Sequence, residues 1–331
     1  MKVLFIGGTG TISGAVTSQM AAAGHEVTLL NRGNRPAPAG VETITADIHD
    51  EAAAARALAG REFDAVADFI AYIPAHLQRD CRLFRGRTRQ FVFISSASAY
   101  QKPPRDFPIT EATPLDNPYW QYSRDKAACE EFLRGLPADG SFPYTIVRPS
   151  HTFGDAKVPV GLHGRKGSWQ VLKRMLDHKP VIIHGDGATL WTLTYNQDFA
   201  RAFCGLLGNP AALGEAVHIT TDEARTWQYI YETLAAALGV DLRAAFLPAR
   251  VLAEAGKEFD LAGGLLGDKA NCAVFDNAKI KRLVPGFSAR VPLAEGLRRA
   301  VAYALAHPEC QIPDPEFDAW CDRMAARAET W

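Results

Sequence analysis

The sequence predicts an α/β chain, a doubly wound parallel sheet with a smaller C-terminal lobe interleaved with it. Three observations carry that reading. A short apolar strand, Val3–Ile6, runs directly into the turn Gly7-Gly8-Thr9-Gly10-Thr11-Ile12-Ser13-Gly14. Apolar runs of strand length then alternate with helical patterns as far as Pro149, the rhythm of βαβ units. Beyond Pro149 the alternation stops, and a second lobe begins.

Strands are expected at Lys2–Ile6, Glu26–Leu30, Glu42–Ala46, Ala65–Ile70, Gln90–Ser95 and Tyr144–Arg148. Between the first two, Gly14–Ala23 is an alanine-rich helix closed by Gly24, and Asp50–Leu58 is a second connecting helix. In the second half, Gly161–Gly167 reads as a mobile basic loop over a site. Ser168–Leu176 reads as a helix and Val181–His184 as a strand ending at Gly185-Asp186-Gly187. Asn196–Leu207 is expected to be helical, Ala216–Thr220 to be a strand able to rejoin the sheet, and Leu261–Ala273 to be a loop. Trp227–Leu238, Leu293–Ala306 and Pro315–Ala326 complete the helices; Asp314 caps the last, and Phe317, Trp320, Cys321 and Met324 line one face of it.

At 331 residues, 47% hydrophobic and 22% charged, the chain can bury a large core. A net charge of -1 gives no electrostatic footprint for a polyanion, which disfavours nucleic acid as a partner. Cys81, Cys129, Cys204, Cys272, Cys310 and Cys321 show no CxxC or Cys/His zinc spacing, so reduced thiols and no metal are expected. The apolar run after Lys2 is too short for a signal-peptide core, and no stretch is long enough to span a bilayer. A soluble, cytoplasmic protein without membrane contact is expected.

A strand, a glycine turn and a helix form the place where a parallel sheet holds a dinucleotide pyrophosphate, because backbone N–H groups converge there and glycines permit close approach. Alone, that pattern is weakly specific. Here it is joined by Ser95-Ser96-Ala97-Ser98-Ala99-Tyr100 and by Tyr122-Ser123-Arg124-Asp125-Lys126. Tyr122 and Lys126, four apart on a helix, share one face. An ammonium beside a phenol stabilises the phenolate and draws its pKa toward neutrality. Ser96, at the carboxyl end of the fifth strand, can orient a substrate carbinol or carbonyl toward Tyr122. Ser96, Tyr122 and Lys126 are therefore the candidate catalytic set.

With these segments on the page, the chain resembles the short-chain dehydrogenase/reductase superfamily, in its extended branch of NAD(P)-dependent epimerases and dehydratases built on a Rossmann sheet. Arg148-Pro149-Ser150-His151-Thr152-Phe153-Gly154, the Gly185-Asp186-Gly187 turn followed by Thr194–Asp198, and Asp276–Leu283 resemble further segments of that family. The resemblance implies a cofactor, NADP or NAD, held at the turn by Gly7, Thr9, Gly10, Thr11 and Ile12. Asn31, Arg32 and Arg35 would meet its adenosine ribose, Asp47 and Ile48 its adenine, and Phe69, Ile70 and Ala71 the end of the fourth strand. Lys126, Pro149, Ser150 and His151 would lie beside the nicotinamide, with Tyr72, Ser98, His151 and Trp191 toward substrate. It also implies a small sugar- or nucleoside-like substrate and a homodimer. The division expected is 1–155 for the dinucleotide-binding domain, 193–222 returning to it, and 156–192 with 223–331 for a substrate-binding lobe.

The departures from the family pattern narrow the expectation. Ser13 stands in place of the third glycine, as in atypical members that include chloroplast stem-loop-binding proteins. Asn31 replaces the acidic residue that reads the ribose, and Arg32 and Arg35 follow it, which favours NADP over NAD. Trp191 occupies the position of an arginine that holds a nucleotide diphosphate; an indole can stack on a sugar ring or base, or simply pack the lobe interface. Ala97 and Ser98 stand where a dehydratase carries its acid and base, which argues against dehydration. Epimerisation with retained cofactor is the leading outcome; an NADPH-dependent ketoreductase that releases its cofactor and an RNA-binding protein on the same fold are the alternatives.

Overall fold

The computed structural model describes residues 1–330. The first half supplies β1 (Lys2–Ile6), α1 (Thr11–Ala22), β2 (Glu26–Asn31), β3 (Glu42–Thr45), α2 (Glu51–Ala57), β4 (Ala65–Asp68), α3 (Pro74–Phe84), β5 (Phe91–Ile94), α4 (Gln121–Arg134) and β6 (Tyr144–Pro149). The second half adds β7 (His151–Phe153), α5 (Trp169–Leu176), β8 (Val181–His184), β9 (Leu190–Tyr195), α6 (Asn196–Leu206), β10 (Ala216–Ile219), β11 (Ala224–Thr226), α7 (Trp227–Leu238) and β12 (Ala244–Leu247). It closes with α8 (Ala249–Ala255), α9 (Leu261–Gly264), α10 (Ala278–Leu283), α11 (Leu293–Ala306) and α12 (Pro315–Ala328). Among the described residues no helix is long and apolar enough to cross a membrane.

Seven strands form one parallel sheet in the order β10-β6-β5-β4-β1-β2-β3. β4 and β5 are buried along their whole length, as strands covered by helices on both faces must be. The order reverses between β1 and β4, where chains leave toward opposite faces and a crevice opens at the carboxyl ends. β10, as the sequence anticipated, returns to pair with β6. The lobe is built on two small sheets, β11-β9-β7 and β12-β8. Its core gathers Trp191, Trp227, Tyr231, Leu297 and Trp320.

Three local expectations are corrected and one helix is added. The fourth strand stops at Asp68 instead of Ile70, because the Asp68 carboxylate accepts the Ile70 N–H at 2.6 Å and turns the chain. Residues 261–273 are not a loop: α9 is followed by a wide helical turn over Leu265–Lys269. The glycine-rich segment 161–167 is not an open flap. Leu162 is buried, and a Cβ on Gly164 would come within 2.6 Å of Phe317. Finally α3, which no sequence expectation covered, starts at Pro74 and buries Leu77, Cys81 and Phe84.

Candidate active site

The turn after β1 is built for a close-lying ligand. Gly7 has φ +79°, and a Cβ there would stand 2.6 Å from Ile70 Cγ2, so only glycine fits. Ser13 does the work of the missing third glycine differently: its hydroxyl accepts the Gly10 N–H at 2.8 Å and donates to the Gly7 carbonyl at 2.7 Å. The first-turn amides of Thr11 and Ile12 have no intrahelical acceptor and carry the positive end of α1, although the Ile12 side chain packs into the core.

Beside this turn lies a cavity of about 510 Å³ lined by Gly7, Thr9, Gly10, Asn31, Arg32, Arg35, Asp47, Ile48, Ile70 and Tyr72. Asn31 Oδ1 accepts the Gly8 N–H at 3.2 Å, so its NH2 is the free end. Arg35 reaches back to the Thr9 carbonyl at 3.3 Å. The Asp47 carboxylate accepts the His49 N–H at 2.9 Å. Volume, glycine cradle and free helix amides fit a dinucleotide. A larger groove of about 930 Å³ lies at the amino ends of the strands, between mixed charges such as Lys2, Glu26, Arg61 and Asp64, and none of the candidate catalytic residues reaches it.

A buried ion network ties the end of β4 to α3. Arg79 bonds Asp68 at 3.0 Å and Asp80 at 2.7 Å. One guanidinium serves two carboxylates, and burial followed by the charge of Asp68 drives the Asp80 pKa well up. Asp80 Oδ2, buried without a partner, fits a protonated carboxyl. No short motif signalled this network.

Ser96, Tyr122 and Lys126 come together at the carboxyl end of β5. Ser98 is buried and stands behind Ser96: Ser123 Oγ donates to Ser98 Oγ at 2.8 Å, and Ser98 bonds Ser96 through its hydroxyl at 2.9 Å and its N–H at 3.1 Å. This corrects the expectation that Ser98 touches substrate. Ser96 Oγ thus accepts the Ser98 N–H, and either hydroxyl can donate in the contact between the two serines. Lys126, almost fully buried, donates to the carbonyls of Ala71 at 2.7 Å and Ile94 at 2.6 Å. Burial lowers its pKa to about 8.

The Lys126 ammonium sits over the Tyr122 ring, 5.7 Å from its centroid, and 4.8 Å from that of the half-exposed Tyr72. Tyr122 is accordingly not drawn toward neutrality. Burial pushes it up to about 12, with the nearby Ser96 hydroxyl acting in the opposite sense. At neutral pH it is a proton donor.

β6 and α4 are fixed to one another by Arg148, which bonds Glu130 at 2.6 and 2.8 Å while Tyr100 covers its guanidinium at 4.7 Å. Ser95 adds a 2.6 Å bond to the same carboxylate. Tyr100 is fully buried and its hydroxyl bonds His218 at 3.0 Å, so it packs instead of lining the cleft. Pro149 and Ser150 follow at the end of β6, the Ser150 hydroxyl turned to the Thr192 carbonyl at 3.2 Å. Phe69 packs edge-on against Phe5 at 5.8 Å.

Trp191 follows the packing alternative instead of the stacking one. It is 1% exposed, lies stacked on Trp227 with centroids 5.5 Å apart, and donates its indole N–H to His151 Nδ1 at 3.2 Å. With one face covered and its edge bonded, it cannot offer a stacking surface to substrate. It fixes His151 instead: an indole only donates, so Nδ1 is bare and the ring proton is on Nε2. Burial, then the ammonium groups of Lys269 and Lys157, hold His151 well below its usual range and thus neutral.

The chain has relatives among known proteins in both sequence and fold. The family model described as NAD dependent epimerase/dehydratase family matches residues 3–220. Over 292 residues the chain is 31% identical to the 2'-dehydrokanamycin reductase of Streptomyces kanamyceticus, covering 88% of this chain and 81% of that protein. An epimerase from Methanothermobacter thermautotrophicus superposes with a TM-score of 0.76 at 18% identity, over 93% of each chain. A UDP-glucuronic acid 4-epimerase from Bacillus cereus, solved with UDP-glucuronic acid and NAD, gives 0.72 at 19% identity over 92% of this chain and 99% of that one.

Proposed function

Because the chain belongs to the NAD dependent epimerase/dehydratase family, as an NAD(P)-dependent enzyme of the short-chain dehydrogenase type, we propose that it reduces a ketone on a sugar- or nucleoside-like molecule and releases its cofactor. One observation carries the reading: Tyr122 is a protonated phenol beside the Ser96 hydroxyl, its ring 6.3 Å from that of Tyr72, which lines the dinucleotide-sized cavity. When bound, a nicotinamide supplies hydride to the carbonyl carbon. Ser96 donates a hydrogen bond to the carbonyl oxygen, and Tyr122 gives that oxygen its proton. Lys126 fixes the loop ends at Ala71 and Ile94 and its charge favours the phenolate left behind.

Arg32, Arg35 and the NH2 of Asn31 support NADPH, because all are donors toward a 2′-phosphate and none is a carboxylate that repels it. The relative matched over most of its length is by name a reductase, which supports reduction as the net outcome. Epimerisation with retained cofactor is the second reading, supported by the epimerases that share the fold. A homodimer through α4 and its neighbour α3 goes with either and is checked by light scattering.

The test is to denature the purified protein, identify any released nicotinamide by mass spectrometry, and titrate the protein with NADPH and NADH. Protein that arrives empty and binds NADPH reversibly supports the reductase. Stoichiometric retained NAD⁺ supports epimerisation, and failure to bind either cofactor overturns both.

A further inference from the structure

Two walls face one another beside the catalytic serines: the segment from Ser96 to Lys102, and the helical turn Leu265–Lys269. Asn117 joins them, its Nδ2 donating to the Ser98 carbonyl at 2.7 Å and to the Gly267 carbonyl at 2.6 Å. Gly267 also presses on Trp120, where a Cβ would come within 2.8 Å, and the Trp120 ring lies 4.9 Å from that of Tyr122. Past Ser98 on one wall and Gly267 on the other, a second contact spans the same gap. Lys102 Nζ stands 4.0 Å from Asp268 Oδ1. The main chain holds both ends: Lys102 N–H donates to the Asp116 carbonyl at 3.0 Å, and the Asp268 carbonyl accepts Asn271 N–H at 3.0 Å.

The pair is unfinished. Its separation is too long for a hydrogen bond, and among the described residues no hydrogen-bond partner reaches the Lys102 ammonium or the Asp268 carboxylate. The Lys102 side chain is 2% exposed and that of Asp268 20%, so the gap opens on the Asp268 side. Charges taken this far out of water ordinarily spend their hydrogens and lone pairs on partners; these two do not. Burial raises the Asp268 carboxyl, and Lys102, ahead of the neighbouring Lys269, draws it back down. An oxygen about 2.8 Å from each group bridges such a gap. A hydroxyl does so with both polarities matched, accepting from the ammonium and donating to the carboxylate. An anion would meet the carboxylate, and a cation the ammonium.

We propose that Lys102 and Asp268 form a subsite that reads a neutral hydroxyl of the substrate, on the ring or chain whose carbonyl Tyr122 protonates. This rests on the oxidoreductase reading above and names the group by which its substrate is selected, that of a polyhydroxylated ketone.

The experiment is calorimetric titration of the full chain, saturated with whichever of NADP⁺ or NAD⁺ binds more tightly. The probes are scyllo-inosose, a ring ketone with a hydroxyl on every other carbon, and cyclohexanone, the same ring bare, followed by cyclohexylamine and cyclohexanecarboxylate. Scyllo-inosose is expected to bind saturably. Its advantage over cyclohexanone should fall about tenfold in Lys102→Met/Asp268→Leu, whose melting temperature and cofactor affinity stay unchanged because both charges leave together. Asp268→Asn, which keeps one acceptor in place, should lose about threefold and carries the test if the double variant unfolds. A purely structural ion pair behaves otherwise: Lys102→Met alone lowers the melting temperature, and the preference for scyllo-inosose survives in every variant. That pattern, no saturable binding of scyllo-inosose, or tighter binding of the amine or the carboxylate overturns the subsite. Failure of the unmodified chain to bind either cofactor would instead sink the oxidoreductase reading, so the two failures are told apart.

Discussion

The parallel-sheet half and the lobe bury polar groups in opposite ways. The sheet half uses ions: Arg148 with Glu130, and Arg79 between Asp68 and Asp80, tie strand ends to helices. Around the cleft, the lobe uses neutral donors aimed mostly at main-chain oxygens, with Trp227 and His184 on Lys269 and Trp320 on Ala255 at 2.8 Å. Its one comparable ion cluster, Arg174 with Asp318 and Asp322, sits at the outer edge on α5 and α12. The difference has an electrostatic consequence. Ion pairs hold the cofactor half, whereas the buttresses around the cleft bring no charge of their own.

The largest expected effect isolates the chemistry from either scaffold. Tyr122→Phe should lower kcat by roughly 10²–10⁴-fold with cofactor affinity kept, as loss of a positioned acid does; an unchanged kcat would remove Tyr122 from the mechanism. Breaking the ionic side comes next. Glu130→Ala leaves Arg148 buried and unpaired and should cost about 3–5 kcal/mol, read from urea unfolding. The lobe is broken by acid instead. Burial lowers His184 to about 4, so the folded state refuses a proton that the unfolded chain accepts below about 6.5. Stability should be lost as pH falls from about 6.5 to 4 and level off below, by about 3 kcal/mol for this residue. Flat urea midpoints over that window would contradict a neutral buried His184.

Trp191→Phe sharpens the comparison at a single bond. It keeps an aromatic ring against Trp227 but frees His151 Nδ1, and should cost about 1–3 kcal/mol in substrate binding. The effect should appear as a raised KM, with a His151 titration entering the pH profile. The smallest effect belongs to the exposed edge of the cofactor cavity. Arg35→Ala should reduce the preference for NADPH over NADH by about tenfold, about 1.4 kcal/mol, measured by fluorescence titration.

These two halves also differed in how far the sequence revealed them. Gly7, Ser96, Tyr122 and Lys126 were legible because each sits in a short segment whose spacing maps onto one turn, one strand end or one helix face. The Trp191–His151 bond joins residues 40 apart, and Trp227 meets Lys269 across 42, so no local pattern announces them. Trp191 and Ser98 were placed toward substrate because a motif position does not say which way a side chain turns. Gly161–Gly167 misled for a related reason. Glycine there serves close packing, since a Cβ on Gly161 would stand only 3.2 Å from the His184 ring, and not mobility. α3 is different: Pro74 with Leu77, Cys81 and Phe84 gave a readable start and stripe.

Asn117 spends both amide hydrogens on carbonyls at either side of the cleft, one of them 150 residues away at Gly267. Mechanically it is a tie across the mouth of a jaw. The serine loop and the Leu265–Lys269 turn are coupled through one side chain, so neither wall of the jaw can shift without drawing the other with it.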